Sequence, residues 1–519
     1  RDQPRSRGLG DVYKRQAIFE KKYYMDSIRI KNLHCLADTG AIPLKPINIL
    51  VGANSSGKSS FLRVFPLLKQ GLNTNKRGPI LWLSEDVDFG DFKTAVKRGE
   101  KNIELQFDIP PFNVTINIVD SNTSDYINDV TVVLDDQTIR LVINNKGEVD
   151  NIIINEEIFC KNIVCTSESR TNILPSFYIK ESLDVANDYR LTRIRHSMLL
   201  DDDAINFIDG IVSHKLSPNT ISNIREKIGF VVKNKAQMLQ QIKRITKPVT
   251  WHAIVDTWSV SDKDFISLNN RLLLSVALPI IDEINNRLTR YFRGVSYVGP
   301  IRATAERYYR RQNLALSSID SRGINLPMFI NDLNEMEKRD LKDWMIKYFD
   351  FYLLTDYSGG HIAISLVNSI TGEKTNLADS GFGFSQIMPI IVILWTLTSK
   401  RTFRRRTGHR FNDICYYVIE QPELHLHPAF QAKLADVFIS VVKLAKENDL
   451  ELKLILETHS ESIINRIGRR ISEQKFSKED VTVALFENVL NKDQKNVTLA
   501  EFDDDGLLDN WPIGFFNAD

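Results

Sequence analysis

The chain has 519 residues and a formal net charge of +1 at pH 7, which argues against a protein that coats nucleic acid through a wholly basic surface. With 43 % hydrophobic and 26 % charged residues, it can bury a large core, and its length predicts two subdomains. No apolar run approaches the roughly 18 residues of a membrane span, and four scattered cysteines favour a reducing compartment. We therefore expect a cytoplasmic protein that does not contact a membrane.

The N-terminal leader, residues 1–24, has neither a hydrophobic period nor an apolar signal region. We interpret it as a non-native or disordered segment, with Met25 as the native start. A basic arm that binds nucleic acid is the alternative.

A phosphate-loop motif is the most informative feature of the chain. Residues 46–51 are an apolar run typical of a short buried strand, and residues 59–70 predict a helix. Between them the chain matches G-x-x-x-x-G-K-[ST] at every fixed position. Such a loop gathers backbone N–H groups around phosphates, so we predict that Lys58 reaches the β- and γ-phosphates and that Ser59 ligates Mg²⁺. The predicted nucleotide contacts are Gly52, Asn54, Ser55, Ser56, Gly57, Lys58, Ser59 and Ser60.

A second apolar run, residues 414–419, ends in the acid motif, which we define as residues 420–423, Glu-Gln-Pro-Glu. A carboxylate at the tip of a central strand is where a doubly wound sheet places its second Mg²⁺ anchor, so Glu420 is predicted to bind Mg²⁺. A surface acidic turn is the alternative. His425 and His427 follow at a spacing that suits zinc, but no cysteine pair lies nearby, so structural histidines are favoured.

A third apolar run, residues 452–457, leads into the Thr-His-Ser motif, residues 458–460. Ser460 predicts the N-cap of a helix over residues 461–469. His459 at a strand tip can lie near a γ-phosphate and orient its attacker, or it can serve only as part of the helix cap.

The Gly/Ser turn, residues 379–386, precedes an apolar helix predicted over residues 387–396, with Pro389 near its start. The order of the motifs is therefore phosphate loop, Gly/Ser turn, acid motif, Thr-His-Ser motif. This order, with the segments 27–33, 88–92, 297–302, 420–428, 457–460 and 509–516, resembles the ATPase head of the ABC/SMC superfamily. It is most similar to the OLD-like and Septu-type AAA ATPases of bacterial anti-phage systems and retrons.

The resemblance implies an ATP- and Mg²⁺-dependent ATPase in which two heads form a homodimer, or part of a higher oligomer, with ATP between them. Gly383, Ser385 and Gln386 would then contact the nucleotide held by the partner. Gln421 stands where ABC enzymes have a catalytic glutamate, and an amide cannot accept the proton of the attacking water. Either Glu423 supplies the carboxylate, or hydrolysis is slow and ATP acts mainly as a clamp.

The predicted fold class is α/β: an ABC/SMC-type head with a mixed central sheet flanked by helices, an antiparallel β subdomain and a helical insertion. The predicted divisions are the leader 1–24, the N-terminal half of the head 25–199, the insertion 200–295 and the C-terminal half 296–519. Alternating runs predict antiparallel strands over residues 103–154.

In the insertion, an apolar seam at 3-4 spacing over residues 221–245 predicts about three heptads of helix. A second helix is predicted over residues 262–293, with a kink at Pro279. The two helices pack against each other, or the seam is a partner surface.

Partners follow mainly from the resemblance. Because only about 60 residues follow the Thr-His-Ser motif, a TOPRIM nuclease domain does not fit there, and a separate effector nuclease of the HNH type is expected. Basic residues 400–410 and the arginine and tyrosine residues at 302–311 suit either solvated loops and interfaces or nucleic acid. The acidic run 503–505 is interpreted as a turn. A RecF-type DNA-repair ATPase and a nucleotide-clamped scaffold with negligible turnover are the alternatives.

Overall fold

In the computed structural model, the described residues are 24–74, 76, 78–121, 125–159, 163–166, 172–179, 196–212, 215–229, 234–312, 316–398, 414–487 and 495–511. The leader apart from Tyr24 and the basic run 400–410 lie outside them. Contacts divide the chain into two compact units, one of residues 1–26, 104–170 and 174–286 and one of residues 27–103, 171–173 and 287–519. The predicted boundaries after residues 24, 199 and 295 stay a prediction.

The chain begins with the elements that carry the phosphate loop. They are β1 (Ser27–Leu33), β2 (Leu36–Asp38), β3 (Ile42–Pro43), β4 (Ile47–Gly52), α1 (Lys58–Leu62), α2 (Val64–Asn73) and α3 (Phe92–Ala95). All six residues of β4 are buried, as expected of a strand covered on both faces. The single helix predicted over residues 59–70 is thus present as α1 and α2, which are separated only by Arg63 in a helical conformation.

Antiparallel strands and helices build the first unit. The strands are β5 (Asn102–Ile109), β6 (Phe112–Asp120), β7 (Asp125–Leu134), β8 (Gln137–Ile143), β9 (Glu148–Ile154), β10 (Glu157–Phe159), β11 (Ile163–Thr166) and β12 (Ser176–Ile179). Alternating burial along β5 and β6 and antiparallel pairing from β6 to β9 confirm the predicted strands. The helices are α4 (His196–Ile211), α5 (Pro218–Ile228), α6 (Lys235–Lys243), α7 (Val249–Val255) and α8 (Lys263–Arg293).

The continuous helix predicted over residues 221–245 is wrong. The chain leaves α5 at Gly229, which has a φ of +68°, and starts α6 after Asn234, whose side chain accepts the Gln237 N–H. A glycine at a positive φ and a new N-cap end one helix and start the next. Val231 lies outside the described residues.

The apolar seam itself packs inside this unit. Its described residues Ile221, Ile224, Ile228, Met238, Ile242 and Ile245 are buried in one cluster with Phe265, Leu268 and Leu272 of α8. This confirms the packing interpretation over an exposed partner surface. Of the described helices, α8 alone has the length and apolarity of a bilayer span, and 67 % of its apolar 18-residue window is buried, as in a core helix.

The second unit continues with strands of a central sheet, a separate four-stranded sheet and helices. The elements are β13 (Val295–Val298), β14 (Tyr309–Arg310), α9 (Leu326–Asn331), α10 (Glu335–Phe349), β15 (Phe351–Ser358), β16 (His361–Asn368), β17 (Lys374–Asn376), α11 (Phe382–Thr398), β18 (Ile414–Glu420), α12 (Pro428–Glu447), β19 (Glu451–Glu457), α13 (Glu461–Ser472), a 3₁₀ turn (Lys478–Asp480), β20 (Val481–Phe486), β21 (Val497–Phe502) and β22 (Leu508–Asp509).

Strand order positions the site. The central sheet runs β13-β18-β19-β4-β20-β21-β22, with parallel pairing from β13 to β20 and antiparallel pairing for the last strands. Carboxyl ends of neighbouring parallel strands meet at one edge, so the segments after β4, β18 and β19 converge there. The α/β fold class predicted from the sequence is confirmed.

Candidate nucleotide-binding site

The phosphate loop requires glycine at both ends. Gly52 and Gly57 have φ angles of +149° and +103°, a region that residues with a Cβ rarely adopt. A Cβ on Gly52 would lie 2.2 Å from the Phe486 carbonyl oxygen, and one on Gly57 would lie 2.4 Å from Leu36 Cδ2. The loop can therefore keep this backbone conformation only with glycine at both positions.

Lys58 is turned back onto its own loop. Its ammonium group donates to the carbonyl oxygens of Gly52, at 3.0 Å, and Ala53, at 2.7 Å. The side chain is only 3 % exposed, and this burial lowers the pKa of Lys58, against the opposing attraction of Glu457. Both acceptors are neutral, so a phosphate oxygen would be a stronger partner for the same ammonium group.

Ser59 contacts Glu457, a residue to which the sequence analysis gave no role. The Ser59 hydroxyl lies 2.9 and 2.8 Å from the two carboxylate oxygens of Glu457. Glu457 ends β19 and is the register partner of Glu420, which ends β18. Burial, followed by repulsion from the neighbouring Glu420, raises the pKa of Glu457 to about 7.

Glu420 is occupied by other donors. Arg63 approaches it in a bidentate pair, with Nε 2.7 Å from Oε1 and Nη2 2.8 Å from Oε2. The Tyr297 hydroxyl donates to Oε1 at 2.7 Å. The structure thus places Glu420 at the expected edge, only 2 % exposed, but brings Glu457 rather than Glu420 to Ser59. The assignment of Glu420 to Mg²⁺ stays a prediction.

The rest of the acid motif is fixed through its backbone. Gln421 adopts a φ of +45°, and its N–H donates to the Glu457 carbonyl oxygen at 2.8 Å. Arg302 donates to the carbonyl oxygens of Glu420, at 2.6 Å, and Gln421, at 3.3 Å. Arg302 is 4 % exposed, so it is not part of an exposed basic patch with its neighbours up to Arg311.

Glu423 holds the Thr-His-Ser motif. Its Oε1 accepts the backbone N–H of His459 at 2.7 Å, and burial raises its pKa. Burial and the nearby positive charge of Lys58 lower the pKa of the His459 imidazole. Ser460 accepts the Ile463 N–H at 3.1 Å as the N-cap of α13, which confirms that prediction. Whether Glu423, Gln421 and His459 are catalytic stays a prediction.

The two histidines after the acid motif have structural partners. His427 is the N-cap of α12, and its Nδ1 accepts the Ala429 N–H at 3.2 Å. The His425 ring packs edge-on against Phe382, with 4.7 Å between ring centroids. Within the described part of the chain, no group of three or more metal-ligating side chains is found.

The Gly/Ser turn packs directly on the segment after the acid motif. A Cβ on Gly383 would lie 2.5 Å from the His425 carbonyl oxygen. Ser385 donates to the Phe382 carbonyl oxygen at 2.8 Å, and Gln386 donates to the Arg302 carbonyl oxygen at 3.2 Å. Ser385 and Gln386 are both buried, so of the three residues predicted to face a partner's nucleotide, only Gly383 is partly exposed. That contact in trans stays a prediction.

The residues at this edge fit a magnesium-bound triphosphate. The Ser56 hydroxyl in the loop is buried and finds no hydrogen-bond partner among the described residues. The glycine ends allow the loop backbone to pack against Phe486 and Leu36 in the conformation it adopts. An ammonium, a hydroxyl and a carboxylate, from Lys58, Ser59 and Glu457, supply the ligand types that phosphate and Mg²⁺ require, and Glu420 lies beside them, bonded to Arg63.

The raised pKa of Glu457 predicts a pH effect on the nucleotide-free protein. Between pH 4.5, the ordinary pKa, and about 7, the folded protein keeps a proton that the unfolded chain releases. The contribution of this carboxyl to stability is therefore full below pH 4.5 and is lost as the pH rises to about 7. Glu457→Gln is neutral throughout. The free energy of unfolding of wild type minus that of the variant should therefore fall as the pH rises over this range, as measured in urea titrations. A constant difference would contradict the shift.

The comparison with protein families agrees with this chemistry. Residues 24–464 match the family model of the AAA ATPase domain. Two solved structures of the recombination mediator protein RecF in the RecFOR pathway, RecF-ATPrS and RecF-ATP, are 12 % and 11 % identical and have TM-scores of 0.28 and 0.29. Each match covers 92 % of this chain and 98 % and 99 % of the other chain, respectively. No curated protein matches the chain. Because the family model spans most of the sequence and includes the phosphate loop, the acid motif and the Thr-His-Ser motif, the chain belongs to the AAA ATPase domain family.

Proposed function

We propose that this ATPase binds ATP with Mg²⁺ at the edge formed by β4, β18 and β19 and hydrolyses it slowly. The observation that carries the proposal is the convergence of Lys58, Ser59 and Glu457 at that one edge. Bound Mg²⁺ would neutralise phosphate charge and orient the γ-phosphate. In the structure, Lys58 and Ser59 are bonded to other groups of the protein.

Binding would exchange these internal bonds for bonds to the ligand. Lys58 would leave two neutral carbonyl oxygens for phosphate oxygens, which are stronger acceptors because they are charged. Ser59 would turn its hydroxyl oxygen from Glu457 to the metal. The charge of Lys58 is close enough to lower the pKa of His459. This position suits an imidazole that orients the attacking water.

The residues of the acid motif favour slow turnover. Gln421 cannot accept a proton, and Glu423 uses one oxygen to hold the His459 backbone. A carboxyl whose pKa is raised by burial is closer to the operating pH of a general base. Glu423 is therefore the proposed base, working from a position where it also fixes the motif that faces the phosphate.

Replacement of Glu423 by glutamine tests this assignment. The amide oxygen of Glu423→Gln can still accept the His459 N–H, so only proton acceptance is lost. We expect kcat for ATP to fall about 10²-fold or more, while the affinity for ATP stays the same. Glu335→Gln, at an 84 % exposed side chain, is the matched control and should leave turnover unaltered. Unchanged turnover in Glu423→Gln would remove Glu423 as the base.

We infer further that two heads close on ATP and that the protein is the regulatory subunit of an anti-phage complex. The support is the motif order that resembles OLD-like and Septu-type ATPases, together with the small, partly exposed Gly383 on the Gly/Ser turn. The effector would be a separately encoded nuclease, of the HNH type. Purification of the complex from its native operon tests this, because a co-purifying nuclease is expected. A head that purifies alone from cells expressing the whole operon would contradict it.

The RecF-like alternative, an ATPase that binds DNA itself, makes a different prediction. Among the described basic residues of this segment, Arg310 and Arg311 are exposed and form the candidate DNA-binding surface. Arg307 is instead paired with Asp379 at 2.8 Å. Direct binding would weaken steeply with salt as phosphate contacts release counterions. A salt-dependent affinity for DNA that falls in an Arg310→Ala, Arg311→Ala variant would favour this alternative.

A further inference from the structure

The two acidic strand tips differ in how their charge is satisfied. Glu420 accepts hydrogen bonds from three donor groups, two on the Arg63 guanidinium and one on the Tyr297 hydroxyl. Tyr297 is 6 % exposed and Glu420 is 2 % exposed, so both side chains are buried in the protein. A metal ion would have to displace the guanidinium to reach these oxygens. Without that pair, the buried carboxylate of Glu420 would keep an uncompensated charge.

Glu457 has no comparable cation pair among the described residues. The hydrogen bonds found for its carboxylate both come from the Ser59 hydroxyl, the group that would bind the metal. Its backbone is fixed, because its carbonyl oxygen accepts the Gln421 N–H at 2.8 Å. The carboxylate is therefore held in position beside the loop hydroxyl.

Strand order explains the difference. β19 lies between β18 and β4 in the sheet, so the phosphate loop after β4 is next to the tip of β19, and the tip of β18 is one strand further away. Arg63, one helical turn after Ser59, reaches across to that further tip. The side chain nearest to the loop hydroxyl is thus Glu457.

We propose that Glu457 is the carboxylate that faces the metal ion of a bound Mg²⁺-nucleotide, and that Glu420 is a positioning residue fixed by Arg63 and Tyr297. This inference rests on the proposed ATP site but assigns a role that the motifs alone give to Glu420. Glu457 also restores a second acid to a site where Gln421 lacks one.

The test compares Glu457→Gln with Glu420→Gln by nucleotide affinity rather than by turnover. The probe is the fluorescent nucleotide mant-ATP, titrated with Mg²⁺ and with EDTA, and Mn²⁺ binding to the nucleotide complex is followed by electron paramagnetic resonance. In Glu457→Gln we expect the Mg²⁺-free affinity to be kept, while the gain in affinity from Mg²⁺ and the Mn²⁺ affinity both fall at least about 10-fold, the lower end of the loss seen for outer-shell partners of metals. In Glu420→Gln both should stay within about 3-fold of wild type.

A second variant covers the case in which Glu420→Gln unfolds. Tyr297→Phe removes one hydrogen bond to Glu420 without a change of charge, and it should lower the melting temperature but leave the Mg²⁺ effect intact. Loss of the Mg²⁺ effect in Glu420→Gln or in Tyr297→Phe, or its retention in Glu457→Gln, overturns the proposal. Failure of the ATP site itself looks different, because wild type would then bind no mant-ATP in either buffer.

Discussion

Replacement of Lys58 by alanine is expected to reduce ATP turnover about 10²- to 10³-fold, the usual loss when one preorganised donor to a developing charge is removed. In the nucleotide-free protein this ammonium is held at the loop by the carbonyl oxygens of Gly52 and Ala53. It is therefore already close to where phosphate would bind. Phosphate release assays measure turnover, and mant-ATP titrations measure the affinity for ATP separately.

The control for Lys58→Ala is Lys338→Ala. Lys338 forms an ion pair with Glu335 at 3.0 Å on α10, a contact of the kind that contributes little to stability. The Lys338→Ala variant should therefore keep both ATP binding and turnover at the wild-type level. Turnover in Lys58→Ala within about 3-fold of wild type would show that the phosphate loop does not hold the reacting nucleotide.

Replacement of Arg63 by alanine is expected to destabilise the protein by about 2–4 kcal/mol. The change leaves the buried carboxylate of Glu420 without its cation, and an uncompensated buried charge costs about 3–5 kcal/mol. The lower figure reflects the 36 % exposure of the Arg63 side chain and the hydrogen bond from Tyr297 that remains. Urea unfolding followed by circular dichroism gives the free energy of unfolding.

Arg469→Ala is the matched control for Arg63→Ala. Arg469 pairs with Glu473 one turn along α13 at 2.9 Å, and its side chain is 66 % exposed. Such pairs contribute about 0.3–0.5 kcal/mol, so this variant should unfold nearly as wild type does. A loss below about 1 kcal/mol for Arg63→Ala would mean that Glu420 is not dependent on this cation.

The central strands could be predicted from the sequence because both of their faces are buried. The run predicted as a strand over residues 414–419 is β18, Ile414–Glu420, and the run over residues 452–457 is β19, Glu451–Glu457. A parallel strand covered by helices on both sides needs a continuous apolar run. Both strands end in a glutamate, which is why the positions of the acidic tips were correct, although β19 also contains the buried Lys453.

Side-chain partners across the sheet could not be predicted in the same way. The Ser59–Glu457 and Arg63–Glu420 contacts join residues 398 and 357 positions apart, and they depend on β19 lying between β18 and β4. The motif order along the chain does not contain that spatial order. An observable signal was nevertheless present, since both apolar runs end in glutamate.

The prediction of one continuous helix over residues 221–245 failed for a local reason. The 3-4 spacing is correct on both sides of residue 229, and the buried isoleucines do form a core. The break comes from one glycine at a positive φ and one asparagine cap. Periodicity continues across such a break when both helices bury the same side, so spacing alone favours one long helix.

The most direct test of the account is a structure of Glu423→Gln with a non-hydrolysable ATP analogue and Mg²⁺. We expect the triphosphate to lie in the loop between Gly52 and Ser59, with the Lys58 ammonium moved from its carbonyl oxygens to the phosphates and a second copy covering the nucleotide with its Gly/Ser turn. An empty loop at saturating analogue, or a nucleotide bound elsewhere with Lys58 still turned back onto Gly52 and Ala53, would contradict the account.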